Sequence, residues 1–182
     1  MPEVEPELKV IMRRPIDCPP EMHKRFIEIV MEGGETLLPN LQRGVPMANM
    51  LFFGLVGREI AGVCCARYQN VHYHKHLFIQ AGVPEMYNPY SLEICWLSVL
   101  PKYRRKGIFK QFITQWDGYL KDRPAHAITR VANAPVANPA RFGPNYHEVG
   151  EPFYTDNSDD LIQLTVTNHD PVFEPKKRLR YC

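Results

Sequence analysis

The residues best suited to chemistry form a basic run between an apolar segment and a helical pattern. Five of the nine residues 102–110 are lysine or arginine. Cations at a helix N-terminus are unfavourable by about 0.3–1 kcal/mol each, because the helix dipole is already positive there. Helix amides and guanidinium groups all attract a phosphate, and Gly107 lets a ligand approach the backbone closely. The run therefore predicts a phosphate-binding turn, and a solvated charge run before an ordinary helix is the alternative.

A second candidate is Glu93, which lies on the apolar segment before the basic run. With a period of two, Glu93, Cys95, Leu97 and Val99 are expected to share one face of a strand. A carboxylate on a mainly apolar strand needs a polar partner or a shifted pKa, which marks Glu93 as a candidate base. A position at the exposed end of the strand is the alternative. Cys95 is interpreted as a small core residue, because nothing near it in the sequence would activate its thiol.

Both strands and helices are needed to position these residues. Hydrophobic alternation predicts strands over residues 7–13, 49–56, 59–68, 92–100, 127–132 and 161–167. Helical spacing predicts helices after the Pro19–Pro20 pair, over residues 35–43 and over residues 107–120. Gly57–Arg58 predicts a two-residue hairpin turn. Residues 70–90 and 135–150 are expected to be irregular, so the order predicts a mixed α/β domain with a crossover helix after the fourth strand.

Composition limits the possible functions. The chain has 182 residues, of which 45% are hydrophobic and 23% charged, as expected for one globular domain and not for a disordered chain. It has no long apolar run, so we expect no membrane-spanning helix, and its N-terminus does not resemble a signal peptide. The net charge of +2 is too small to indicate that the protein as a whole binds nucleic acid, although the charge is locally uneven. Five cysteines without CxxC spacing favour reduced thiols in a cytoplasmic protein and no metal site.

The pattern Arg104-x-x-Gly107-x-Phe109, after a strand that ends near Val99 and Pro101, resembles a known signature. It is similar to the Gln/Arg-x-x-Gly-x-Gly/Ala acetyl-CoA motif of the GNAT superfamily, the acyl-CoA-dependent N-acyltransferases, with Phe109 where Gly or Ala is usual. The element order over residues 7–167 also resembles that family. The resemblance implies one GNAT-like domain over residues 1–168 and a basic tail over residues 169–182. Its mixed, mostly antiparallel central sheet would be flanked by helices and splayed between strands 4 and 5.

The resemblance also implies where acetyl-CoA binds as co-substrate. The backbone of Leu97, Ser98 and Val99 would hold the pantetheine arm, and the Val99 amide would polarise the thioester carbonyl. The pyrophosphate would lie against the basic turn, formed by Arg104, Arg105, Lys106, Gly107, Ile108 and Phe109. Asn138 lies one residue from a position where the family often has a cofactor-contacting Asn.

Two catalytic roles follow from the same resemblance. Glu93 matches the glutamate base of the histone-acetylating branch, acting through a water. Tyr146-His-Glu-Val-Gly150 resembles the Tyr-x-x-x-Gly segment whose tyrosine protonates the CoA thiolate; a loop tyrosine packed on the core is the alternative. The implied function is direct transfer of an acetyl group to a primary amine, on a small molecule or a protein, in a ternary complex. An inactive GNAT-fold interaction module and a nucleic-acid-binding module remain alternatives, and nothing indicates the oligomeric state.

Two further segments carry weaker patterns. His72, His74 and His76 would share one face of an extended strand. We interpret them as a solvated hairpin end, with a metal cluster or an acceptor contact as alternatives. The basic residues 175–180 are interpreted as a solvated tail, with nucleic-acid contact or a localisation signal as the alternative.

Overall fold

The structure is a computed structural model that describes residues 7–34, 36–133, 143, 145–156 and 159–169. Contacts divide the chain into two compact units, each formed by separate parts of the sequence. The first unit contains Met1–Arg67 and Ile94–Lys121, and the second contains Tyr68–Glu93 and Asp122–Cys182. Asn138 and the predicted tail from residue 170 onward lie outside the described residues.

Seven strands and four helices of more than three residues are described. The strands are β1 (Leu8–Arg13), β2 (Met50–Val56), β3 (Glu59–Arg67), β4 (Leu92–Val99), β5 (Ala125–Arg130), β6 (Tyr146–Tyr154) and β7 (Leu161–Thr167). The helices are α1 (Pro20–Glu32), α2 (Leu38–Gly44), α3 (Val71–Gln80) and α4 (Ile108–Leu120). The strand order is β1-β2-β3-β4-β5-β7-β6, and β4 pairs with β5 in parallel. The predicted mixed, mostly antiparallel sheet is confirmed.

The first unit follows the sequence pattern closely. Its β1, β2 and β3 form an antiparallel meander, and Gly57 with a φ of 61° closes the predicted hairpin between Val56 and Glu59. Glycine suits this turn because it adopts a positive φ without steric cost. One buried cluster lies where α1 and α2 pack on this sheet, with Phe26 edge-on to Phe53 at 5.9 Å. The fold of this unit therefore rests on the alternation and helical spacing that the sequence displays.

Residues 71–80 of the second unit are helical, which corrects the prediction of an irregular excursion with extended histidines. Asn70 caps α3, since its side chain accepts hydrogen bonds from the amides of His72 and Tyr73 at 3.0 and 3.3 Å. The buried face is His74, Leu77 and Phe78, at the i, i+3, i+4 spacing of a helix. His72, His74 and His76 therefore do not share a face.

The second unit also contains a strand where the sequence predicted irregular chain. β6 pairs antiparallel with β7, and its register shifts between Val149 and Phe153. Gly150 lies in that shift with a φ of 66°, and the next amide, of Glu151, donates to the carbonyl of Ala81 at 2.9 Å. The pairing of β4 with β5 joins Leu92 with Ala125 and Glu93 with His126, four residues that all belong to this unit.

Candidate active site

The turn between β4 and α4 has the backbone geometry of an anion site. Pro101–Tyr103 forms one 3₁₀ turn, and Arg104 is extended with φ −64° and ψ 153°. Arg105 and Gly107 then both have left-handed φ values, 62° and 84°. Left-handed residues in a turn direct amides toward one concave side, where they favour an anion.

The N-terminus of α4 adds further donors to this turn. Gly107 precedes the helix without a side-chain cap hydrogen bond, and the first turn contains no acidic residue. The first amides of the helix therefore receive no acceptor from a capping side chain. The dipole of this 13-residue helix places partial positive charge at the same end.

Two glycines on neighbouring strands fix the position of this helix. An ideal Cβ at Gly54 would lie 2.9 Å from Cγ2 of Ile108, and one at Gly62 would lie 3.4 Å from the same atom. Gly54 and Gly62 face each other in the β2–β3 register. Because neither carries a side chain, Ile108 packs directly on the sheet and is 2% exposed. The strands therefore set where the helix amides begin.

Part of the basic run is anchored to the β2–β3 hairpin. Lys102 Nζ lies 2.7 Å from Oε1 of Glu59, and the Tyr103 hydroxyl donates to the other oxygen of that carboxylate. Lys102 and then Tyr103 hold the pKa of Glu59 below its ordinary value, and Glu59 in turn raises the pKa of Lys102. These contacts anchor the turn to the β2–β3 hairpin.

The other cations of the basic run make fewer contacts with the rest of the protein. Arg104 Nε donates to the carbonyl of Val99 at 3.0 Å, and Lys106 Nζ lies 5.6 Å from the ring centre of Tyr103. Among the described residues, no hydrogen bond or ion pair holds the side chains of Arg105 and Lys110, and both residues are exposed. The turn thus presents positive charge that the described residues do not neutralise.

Phe109, which stands where the resembled motif has Gly or Ala, packs along α4. Its ring packs edge-on against Trp116 at 6.1 Å, two turns further along the same helix face.

The end of β4 does not have the regular alternation that the sequence predicted. Trp96 has a φ of 54°, and both it and Cys95 pack against the core under α1. Ser98 Oγ donates to the carbonyl of Ile29 at 2.9 Å, also in α1. Val99 instead lies on the α4 side, because its Cγ2 would be 3.1 Å from a Cβ at Gly62. The prediction that Cys95 and Val99 share one face is wrong, since a left-handed residue between them shifts the alternation. The partly buried position of Cys95 agrees with its interpretation as a core residue.

Glu93 belongs to the second unit and is buried, with 3% of its surface exposed. The alternative position at an exposed strand end is therefore wrong. Glu93 is the parallel register partner of His126 on β5, so the two side chains leave the paired strands on the same face.

His126 is the centre of a buried polar network that the sequence did not indicate. Ser91 Oγ lies 2.8 Å from its Nδ1, and Gln69 Oε1 lies 3.1 Å from its Nε2. A glutamine oxygen only accepts, so Nε2 carries the proton and Nδ1 accepts from Ser91 in the neutral ring. The ring of His74 stacks on that of His126 at 4.2 Å. Residues from α3 and β5 meet here, and no spacing within either segment reveals that contact.

Tyr146, the predicted acid, is the first residue of β6, where it pairs with Thr167 and is partly buried. The alternative of a loop tyrosine is therefore wrong as to its element. Asn138 cannot be placed, because it lies outside the described residues.

The described residues contain no cluster of three or more side chains suited to a metal ion. They also contain no helix that is long and apolar enough to cross a bilayer.

Comparison with solved structures identifies the fold. The chain is similar to an acyl-CoA N-acyltransferase from Pseudomonas aeruginosa, with a TM-score of 0.61 and 9% identity over 88% of this chain and 99% of that one. It is similar to FeeM, an N-acyl amino acid synthase from uncultured soil microbes, with a TM-score of 0.64 and 8% identity over 89% and 91%. It is also similar to a protein of the GNAT family from Desulfovibrio desulfuricans, with a TM-score of 0.61 and 12% identity over 90% of this chain and 99% of that one. Neither a protein-family model nor a curated protein sequence matches the chain. The likeness shows the GNAT fold.

Proposed function

We propose that this chain, which has the fold of the GNAT superfamily, is an N-acetyltransferase that transfers an acetyl group from acetyl-CoA to a primary amine. One observation carries the proposal: a turn with two left-handed residues, Arg105 and Gly107, leads into an uncapped helix and presents unneutralised cations. Such a turn matches the negative charge of the CoA pyrophosphate.

The cofactor contacts come from the end of β4 and from this turn. The amides of the turn and the guanidinium groups of Arg104 and Arg105 bind the pyrophosphate, together with Lys106 and the first helical residues Ile108 and Phe109. The backbone of Leu97, Ser98 and Val99 binds the pantetheine arm. Ser98 supports this geometry, because its hydroxyl is bonded to α1 and its backbone is fixed in place.

The transfer itself needs three groups. Glu93 accepts, through a water, the proton that the amine loses as its nitrogen attacks the thioester carbonyl carbon. The Val99 amide stabilises the oxyanion of the tetrahedral intermediate. The C–S bond then breaks, and Tyr146 donates its proton to the departing thiolate. The position of Glu93 supports this role, because it lies buried on β4 beside His126 of β5, its register partner.

A transfer assay tests the proposal. The purified chain is incubated with acetyl-CoA and a panel of primary amines: a polyamine, single amino acids, an amino sugar and a lysine peptide. We expect free thiol to appear with at least one of them. Glu93→Gln should then lower kcat by about 10²–10⁴-fold, the usual contribution of a general base, with unchanged affinity for acetyl-CoA. Binding of acetyl-CoA without thiol release from any amine would favour a non-catalytic module instead.

A further inference from the structure

Cys65 on β3 and Cys95 on β4 form a close thiol pair in the first unit. Their Sγ atoms are 3.3 Å apart, and one thiol donates a weak hydrogen bond to the other. Cys65 is fully buried, whereas Cys95 is only partly buried. We propose that this pair is a redox modification site at which hydrogen peroxide produces a reversible disulfide between Cys65 and Cys95.

The strand register places the two residues opposite each other. The Leu100 amide donates to the Ala61 carbonyl at 2.9 Å. From that contact, Cys65 lies four residues onward in β3 and Cys95 five residues back in β4. The sulfur contact at these positions shows that the strands are antiparallel here, and the left-handed Trp96 accounts for the one extra residue as a bulge. Opposed residues in antiparallel strands have Cα atoms about 4.5–5.5 Å apart, within the range of about 4.4–6.8 Å found in disulfides.

The reaction balances with peroxide as the only oxidant. Peroxide oxidises the Cys95 sulfur to a sulfenic acid and is itself reduced to water. The Cys65 sulfur then attacks that sulfur, and the S–S bond forms as the hydroxyl leaves with the Cys65 proton as a second water. Cys95 reacts first because it is the less buried of the two. Since a disulfide bond is about 2.05 Å long, the sulfurs need to approach by only roughly 1.3 Å.

The remaining described cysteines provide matched controls. Cys64 is the neighbour of Cys65 in β3, but its side chain leaves the opposite face of the strand. Burial raises the pKa of the Cys64 thiol well above its ordinary value and also raises that of Cys18.

Oxidation should also affect the transfer reaction, a consequence that rests on the proposed function. Cys95 immediately precedes the bulge, and Val99 follows three residues after Trp96. Displacements of about 1 Å in catalytic groups can cost about a hundredfold in rate. We therefore expect oxidation to slow transfer at least tenfold and dithiothreitol to restore it. Oxidation should leave the affinity for acetyl-CoA unchanged, because the ion pair of Lys102 with Glu59 anchors the basic turn separately.

Peptide mapping tests the site without depending on any activity. The native chain is treated with peroxide, alkylated and digested. We expect a pair of linked peptides that contain Cys65 and Cys95. Its mass should be two hydrogen atoms less than the sum of the two reduced peptides, and reduction should separate them. Cys95→Ser and Cys65→Ser should abolish the link, whereas Cys64→Ser should keep it. Absence of the link in the folded wild type, or conversion of Cys95 to sulfinic acid while Cys65 is still alkylated, would overturn the proposal.

Discussion

Replacing Arg105 by glycine separates backbone strain from ligand binding. The change in the main chain should stabilise the fold, whereas loss of the side chain should weaken binding of acetyl-CoA. A left-handed conformation, here with a φ of 62°, costs an L-residue roughly 1–2 kcal/mol, whereas glycine adopts it freely. Glycine in turn loses about 0.5–1 kcal/mol more conformational entropy on folding. Arg105→Gly should therefore raise the free energy of unfolding by about 0.75 kcal/mol, the difference between the middle values of these two ranges.

The same substitution should weaken binding of acetyl-CoA. The guanidinium of Arg105 is exposed, so its bond to a phosphate should lie at the low end of the usual 1.5–3 kcal/mol for charged hydrogen bonds. A loss of about 1.5 kcal/mol corresponds to roughly a tenfold increase in Kd.

Denaturant unfolding and calorimetric titration measure the two effects on one sample. For a chain of this size, 1 kcal/mol corresponds to about 2–4 °C in Tm. Arg104→Gly is the matched control, because Arg104 has a φ of −64° and no strain for glycine to relieve. That variant should lose stability, and Arg105→Gly should gain it.

Either half of the result can refute the reasoning. A loss of stability in Arg105→Gly would show that the left-handed conformation is not strained. An unchanged Kd would show that the Arg105 side chain does not contact the bound anion.

Three further predictions concern other parts of the structure. Gly150→Ala should destabilise the chain by about 2–4 kcal/mol, because its φ is 66° and a Cβ would collide with the Ala81 carbonyl; denaturant unfolding would show it, and an unchanged midpoint would contradict this packing. Tyr146→Phe should lower kcat while leaving the affinity for acetyl-CoA unchanged, since it removes only a proton donor; full activity would mean that another group protonates the thiolate. Glu59→Gln should lower Tm at neutral pH. Because its pKa is depressed in the folded state, Glu59 stabilises the fold above its ordinary pKa of about 4.3 and loses this effect as pH falls through the lowered value. The Tm difference between wild type and Glu59→Gln should therefore shrink on acidification, and a constant difference would disprove the Lys102 contact.

Local patterns predicted the hairpin and the helices of the first unit well, because each of these features is encoded within one segment. The hairpin at Gly57–Arg58 and the apolar stripe of α4 are encoded by neighbouring residues. The position of the basic turn between β4 and α4 was likewise predicted from its charge and from Gly107, and phosphate binding there stays a prediction. In each case the physical cause is local, so spacing alone was sufficient.

The second unit was harder, because its elements are defined by contacts distant in sequence. The alternating histidines of α3 imitate a strand, although the Asn70 cap and the spacing of His74, Leu77 and Phe78 were the available indications of a helix. β6 is interrupted at Gly150, where the register shifts to let Glu151 reach Ala81. A tertiary contact of this kind leaves no periodicity in the sequence.

The bulge in β4 was equally invisible. Trp96 is a non-glycine residue with a left-handed φ, and aromatic residues normally favour regular strand conformations. Its packing against Phe26 at 6.4 Å and the stacking of Arg67 at 4.2 Å from its ring centre hold it there. Those partners come from α1 and β3, so the faces of Cys95 and Val99 could not be assigned from β4 alone.

Calorimetric titration with acetyl-CoA tests the central claim most directly. We predict micromolar binding by the wild type and a Kd about a hundredfold higher for the Arg104→Ala/Arg105→Ala variant, at about 1.4 kcal/mol for each tenfold change. Lys24→Ala/Arg25→Ala removes the same charge from α1 and should bind like the wild type. An equal loss of acetyl-CoA affinity in both double variants would show that overall positive charge, and not the turn, determines binding. No binding by the wild type at millimolar acetyl-CoA would contradict the account.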